Sequence, residues 1–151
     1  GRMTAMNKIR FIPIVLLAIY VLVKLAPYAA KPKPETYKPS NEQMQSLKPV
    51  IDSLSEYPDA ASQFGNLYNA ISLVVESDVV VLRTTDDVRK AHENSGALAI
   101  QAGEIPRIPG YAKAVNDFIS KEVGVDNVPL DSEKRKQIAE TFKALSWATN
   151  Q

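Results

Sequence analysis

The chain has 151 residues and no cysteine. That excludes disulfides, thiolate metal sites, a cysteine nucleophile and a lipid-modified cysteine anchor. A single histidine, His92, excludes a metal centre built from several imidazoles. No G-x-x-x-x-G-K-[ST] phosphate loop, G-x-G-x-x-G fingerprint or G-x-S-x-G elbow occurs, so the common nucleotide-binding and serine-hydrolase signatures are missing. Apart from a short Lys/Pro tract there is no low-complexity segment and no internal repeat, which removes solenoids and propellers. Net charge is also small, with 18 Lys+Arg against 17 Asp+Glu.

That near-neutral total conceals a division. Residues 1–39 carry seven Lys/Arg and one Glu, whereas residues 40–151 carry eleven Lys/Arg and sixteen Asp/Glu, for net charges of +6 and −5. Nucleic-acid binding rests on neutralising phosphates with Lys and Arg, so an acidic C-terminal part argues against a nucleic-acid partner.

The basic segment surrounds an apolar run. Phe11, Ile12, Ile14, Val15, Leu16, Leu17, Ile19, Tyr20, Val21, Leu22 and Val23 lie in a charge-free stretch over residues 11–23. With Lys24 snorkelling, the apolar segment continues to residue 30 and reaches about 20 residues, the length that crosses ~30 Å of hydrocarbon at ~1.5 Å per residue. A cleaved secretory signal needs small residues at both critical positions before the cut, and Tyr28 spoils both candidate sites. The expectation is an uncleaved single-pass transmembrane anchor over residues 11–30, preceded by a basic tail at 1–10 and contacting membrane lipid. Lysines and arginines flank both ends, so the positive-inside comparison is balanced. The short basic tail followed at once by an apolar run is the pattern of a signal-anchor that exports the C-terminal domain to the periplasmic or extracellular side. Residues 31–39 place Pro32, Pro34 and Pro39 among lysines. They read as an extended linker that, at ~3.1 Å per residue, would reach about 28 Å.

From residue 40 the spacing of apolar residues is helical. Met44, Leu47, Ile51 and Leu54 recur at three and four, behind Ser40 and Gln43 placed as a capping box. Pro49 lies inside this run and is expected to kink or split the helix. A second helix starts near Pro58 and Asp59 and carries the clearest amphipathic stripe, Phe64, Leu67, Tyr68, Ile71, Val74 and Val75, which predicts the central helix. Asp78–Leu82 reads as a connector, because no second strand-like run exists to pair with it. Thr84 or Thr85 caps a third helix to about Ile100, with Gly96 inside it as a point of close approach by a neighbour. A rigid loop over residues 103–110 precedes a fourth helix that stops at Gly124, and a fifth runs from Asp131 to about Ala148. The expected fold is all-α: a transmembrane helix followed by an acidic bundle of about five helices over residues 40–151.

Candidates for chemistry are thin. His92 is followed by Glu93 but lacks a second histidine at i+4, and Asp87 is out of helical register with it. Carboxylate pairs such as Glu76 with Asp78, or Glu133 with Glu140, occur at the density chance would give in an acidic domain. Catalytic, metal and cofactor residues are therefore assigned to none, and no small-molecule substrate is evident. Binding residues are better motivated. Trp147 points away from the apolar stripe of the last helix, and Ile105, Arg107 and Ile108 sit beside Pro106 and Pro109 in a stiff loop. The plain alternatives are that Trp147 packs back onto the domain and that the two isoleucines plug the bundle. Lys134, Arg135 and Lys136 read as a solvated basic face. The function expected from this sequence is a membrane-anchored, non-enzymatic interaction or tethering protein of the cell envelope, acting through a protein partner or self-association. The alternatives are a structural subunit of a large assembly such as a virion or secretion apparatus, and, more remotely, a membrane-tethered hydrolase.

Overall fold

The helices begin where local side chains can cap them. In the computed structural model, which describes residues 37–78 and 81–151, these residues form five helices: α1 (Asn41–Leu54), α2 (Pro58–Glu76), α3 (Thr85–Gln101), α4 (Tyr111–Glu122) and α5 (Ser132–Thr149). Ser40 accepts from the Gln43 backbone N–H at 3.2 Å while the Gln43 side chain accepts from the Ser40 N–H, a complete capping box. Thr84 and Asp87 make the same reciprocal pair before α3, and Asp131 accepts from the Lys134 N–H at 2.7 Å before α5. Pro58 opens α2, where its missing N–H costs nothing. Gly110, at φ +78°, makes the left-handed turn into α4, and Gly124, at φ +100°, ends the turn after it.

Pro49 does not split α1, which runs continuously through it. Pro49 and Gln45 are both exposed, so the carbonyl deprived of its helical partner meets water, while Leu47, Val50 and Leu54 on the other face stay buried.

The centre of the core is the antiparallel pair of α2 and α5, which makes the most extensive helix contact. Two hydrogen bonds give its register. Ser146 Oγ donates to the Gly65 carbonyl at 2.9 Å, and Ser72 Oγ donates to the Ala139 carbonyl at 2.9 Å. A side chain as short as serine reaches a facing backbone only where small residues let the helices approach. Gly65 is the extreme case: a Cβ there would lie 2.7–2.9 Å from the side chains of Thr149 and Asn150. Close approach by a neighbour, expected at Gly96, is thus made at Gly65; a Cβ at Gly96 would meet nothing within 4 Å. Around this pair, Leu47 and Val50 from α1, Val88 from α3, Val115, Phe118 and Ile119 from α4, and Ile138, Phe142 and Leu145 from α5 complete one cluster.

The connector from α2 to α3 turns at Asp78, whose φ is +63°, and is held from behind by Arg135. This side chain is buried, donates to the carbonyls of Val75 at 3.3 Å and Leu82 at 2.6 Å, and pairs with Asp78 at 3.0 Å. Arg135 therefore departs from the solvated basic face expected of residues 134–136. Its position on α5 faces the end of α2 and the connector, where it meets the carbonyl of Val75 in the last turn of α2 and that of Leu82 beyond it. Beyond the connector, a single bridge joins Thr84 to Pro129, supported by hydrogen bonds from Thr85 N–H to the Val128 carbonyl and from Leu130 N–H to the Arg83 carbonyl.

Tyr37 and Pro39 also differ from the spacer reading of residues 31–39. Pro39 is buried, and Tyr37 packs on the core and donates its hydroxyl to the Glu140 carbonyl at 3.3 Å. The end of that segment belongs to the folded domain. The expected anchor over residues 11–30, with its basic tail and most of the linker, lies outside the described residues. Among the described residues no helix is long and apolar enough to cross a membrane.

Candidate functional site

Three helices that share the core separate at one place. α3 is fastened at its start by Thr84, Thr85 and Val88, and Arg89 donates to the carbonyls of Gly124 and Val125. Farther along, the face it turns inward is His92, Gly96 and Ile100, at intervals of four, with Glu93, Ala97 and Gln101 beside them. Gly96 and Ala97 are too small to fill the space in front of them. The result is a cleft of about 290 Å³ whose other walls are Phe64, Leu67 and Tyr68 of α2 and Tyr111, Val115 and Asn116 of α4, with Arg107 also lining it.

The inner wall is aromatic. Phe64 and Tyr111 lie 4.3 Å apart between ring centroids, Tyr68 and His92 stack at 5.8 Å, and Phe142 stands 6.2 Å from Tyr68 and 6.1 Å from His92. The Tyr68 and Tyr111 hydroxyls share a short, buried hydrogen bond. One such bond uses one of the two hydroxyl protons, so the pair keeps a donor to offer. Burial pushes both tyrosines up from their ordinary pKa, and they remain protonated. His92 has its pKa lowered to about 4 by the same loss of solvent, so the imidazole is neutral near pH 7, with one donor and one acceptor nitrogen. Among the described residues no group hydrogen-bonds His92 and no cluster of His, Asp or Glu is arranged to hold a metal ion.

The residues singled out by sequence divide. Ile105 and Ile108 are buried and plug the bundle, while Arg107 between them is exposed. Trp147 is half-buried and packs back on the core. The two isoleucines thus act as pegs that fix the loop and turn Arg107 outward. Asp87 is used in capping, Glu76 pairs with Lys143 at 3.6 Å, and Asp78 pairs with Arg135. Trp147 and the loop do not meet in one constellation; only Arg107 joins the cleft. Sequence reasoning missed the tyrosine pair and the cleft itself. The available signal was the run His92, Gly96, Ile100: a helix face carrying one polar aromatic group, an empty position and an aliphatic side chain.

Comparison with protein-family models, with curated proteins and with solved structures finds no match to this chain. Its function is therefore argued from its own residues.

Proposed function

We propose that this chain is a membrane-tethered, non-catalytic binding protein of the cell envelope, in which the apolar N-terminal run anchors an acidic helical domain beside a protein partner. The observation that carries the reading is the division of the chain, with an uncharged run inside a segment of net charge +6 and then an acidic helical domain. Anchoring raises the concentration of the domain near a partner in the same membrane without requiring high intrinsic affinity. The cleft is consistent with binding rather than turnover. A histidine with a pKa near 4 is a weak base at neutral pH, and protonated tyrosines are weak acids, so neither is poised for proton transfer there. The loop supplies a surface that is ordered in advance. Arg107 is presented by a segment pegged at Ile105 and Ile108, so little entropy is lost when a partner seats on it. Trp147, part-exposed on α5, is the second contact proposed.

The experiment is gentle purification of the tagged full-length protein from membranes of its native source, with intact-complex mass spectrometry, beside a chain lacking residues 11–30. The expected result is retention of the full chain in carbonate-washed membranes, a discrete partner at low stoichiometry, and a helical but unanchored truncated chain. Release of the full chain by carbonate would refute the anchor. Many identical copies would instead favour the structural-subunit reading.

A further inference from the structure

We infer that the cleft between α2, α3 and α4 binds a small, uncharged, largely aromatic molecule of about a dozen non-hydrogen atoms with a single hydrogen-bonding nitrogen or oxygen. The inference goes beyond the tether: it concerns a different class of ligand, and the two surfaces share only Arg107.

Size comes first. A cavity of ~150 Å³ lined by apolar side chains takes benzene, so about 290 Å³ accommodates roughly twice as many atoms. Shape and chemistry follow from the walls. Phe64, Tyr68 and Tyr111 present ring faces and edges, Leu67, Ile100 and Val115 add aliphatic surface, and an aromatic ligand meets such walls with offset or edge-on contacts. The polar requirement comes from His92. It lines the cleft, has no hydrogen-bond partner among the described residues, and holds both a donor and an acceptor nitrogen. The tyrosine pair adds a further unspent proton. A ligand with one polar atom satisfies one of these groups, an N–H the acceptor nitrogen of His92 or an oxygen one of the donors, whereas a purely apolar one satisfies none.

The charge requirement follows from the same groups. Phe64, Leu67, Tyr68, Ile100, Tyr111 and Val115 face the cleft without a charge, so an ionic group taken in loses water and gains no buried counter-charge. Arg107 and Glu93 also line the cleft, carry opposite charges and are both exposed. In high dielectric neither compensates a buried ionic group. Gly96 makes the space. It lies in the helix with open room where a side chain would be, so its lack of a side chain serves the cleft rather than helix packing.

The single histidine supplies the readout, because carbon-13 placed at its Cε1 gives one assigned resonance. The full-length chain in detergent is titrated with indole, a neutral aromatic of nine non-hydrogen atoms with one N–H. Indene, its isostere without the N–H, and indole-3-carboxylate, an anion, serve as comparisons. The expected result is a saturable shift of the His92 resonance with indole, about fivefold weaker binding of indene, and at least tenfold weaker binding of the carboxylate. Gly96→Leu, which fills the cleft from an open helix position, should weaken indole binding at least tenfold. Gly96→Ala, too short to cross the space, should bind nearly as wild type and controls for the backbone. Any of three results overturns the inference: no saturable shift, equal binding by Gly96→Leu, or the carboxylate binding as tightly as indole. Partition of indole into detergent is common to all variants and cannot produce the difference between them.

Discussion

Replacing Arg135 by alanine should destabilise the domain by about 3 kcal/mol, with most of the loss coming from two carbonyl groups rather than from the ion pair. The guanidinium is buried and donates to the carbonyl of Leu82 at 2.6 Å and, more weakly, to that of Val75 at 3.3 Å. Hydrogen bonds from a charged donor contribute ~1.5–3 kcal/mol each, so a short one and a long one together give about 3 kcal/mol. Its partner Asp78 is different. The Asp78 side chain is 78% exposed, and a pair with one end in water contributes at most about 1 kcal/mol. Asp78→Asn should therefore cost under ~1 kcal/mol, and that cost should shrink in high salt. The assay is urea unfolding followed by helical circular dichroism. With a slope of ~1.5 kcal/mol per molar urea, the Arg135→Ala midpoint falls by about 2 M and the Asp78→Asn midpoint by less than ~0.7 M. Equal losses in the two variants would refute the reasoning, because they would make the ion pair, not the carbonyls, the source of the stability.

The two helical glycines should respond in opposite senses. Gly96→Ala gains helix propensity in open space and should stabilise by about 0.5–1 kcal/mol, whereas Gly65→Ala forces Thr149 and Asn150 aside and should cost about 1–2 kcal/mol, both read by thermal melting. Ser40→Ala and Thr84→Ala each remove a side-chain cap and should cost about 1 kcal/mol; a neutral result at Ser40 would mean that α1 frays before its first turn. His92 has a folded pKa of about 4 against 6.5 unfolded, so between those values the unfolded chain takes up a proton that the folded chain resists. Its contribution is fully present above pH ~6.5 and lost as pH falls toward ~4, by up to about 3 kcal/mol. The difference in stability between wild type and His92→Phe should show that slope, and an NMR titration of His92 with a midpoint near 6.5 would disprove it.

What could be read from the sequence was what neighbours along the chain decide. Ser40 with Gln43, Thr84 with an acid three residues on, Asp131, and Gly124 act within one turn, so helix starts and stops were accessible. The stripe on α2 was equally plain, and every member of it is buried. Arg135 was misread because its partners at Val75 and Leu82 are 60 and 53 residues away. Charge in a local triplet says nothing about distant carbonyls. Gly96 was misread for a similar reason: a glycine in a helix marks either a contact or a gap, and only the packing of neighbouring helices decides which. The cleft was the least legible feature. It arises where Gly96 and Ala97 fail to fill space between helices whose angle no local pattern records. Pro49 was overweighted, since a lost hydrogen bond on a wet face is cheaper than one in a core.

The pairing of α2 with α5 also sets when the domain can form. Gly65 meets Ser146, Thr149 and Asn150 across an interval of more than eighty residues, and Ser72 meets Ala139 across 67. On a ribosome, the buried face of α2 emerges long before the helix that covers it. Long-range closure of this kind is slow and exposes apolar surface meanwhile. Folding thus waits for the emergence of α5. A polypeptide passed through a translocation channel during translation would remain threadable until α5 emerges, and truncation within α5 would leave the earlier helices without their counterpart.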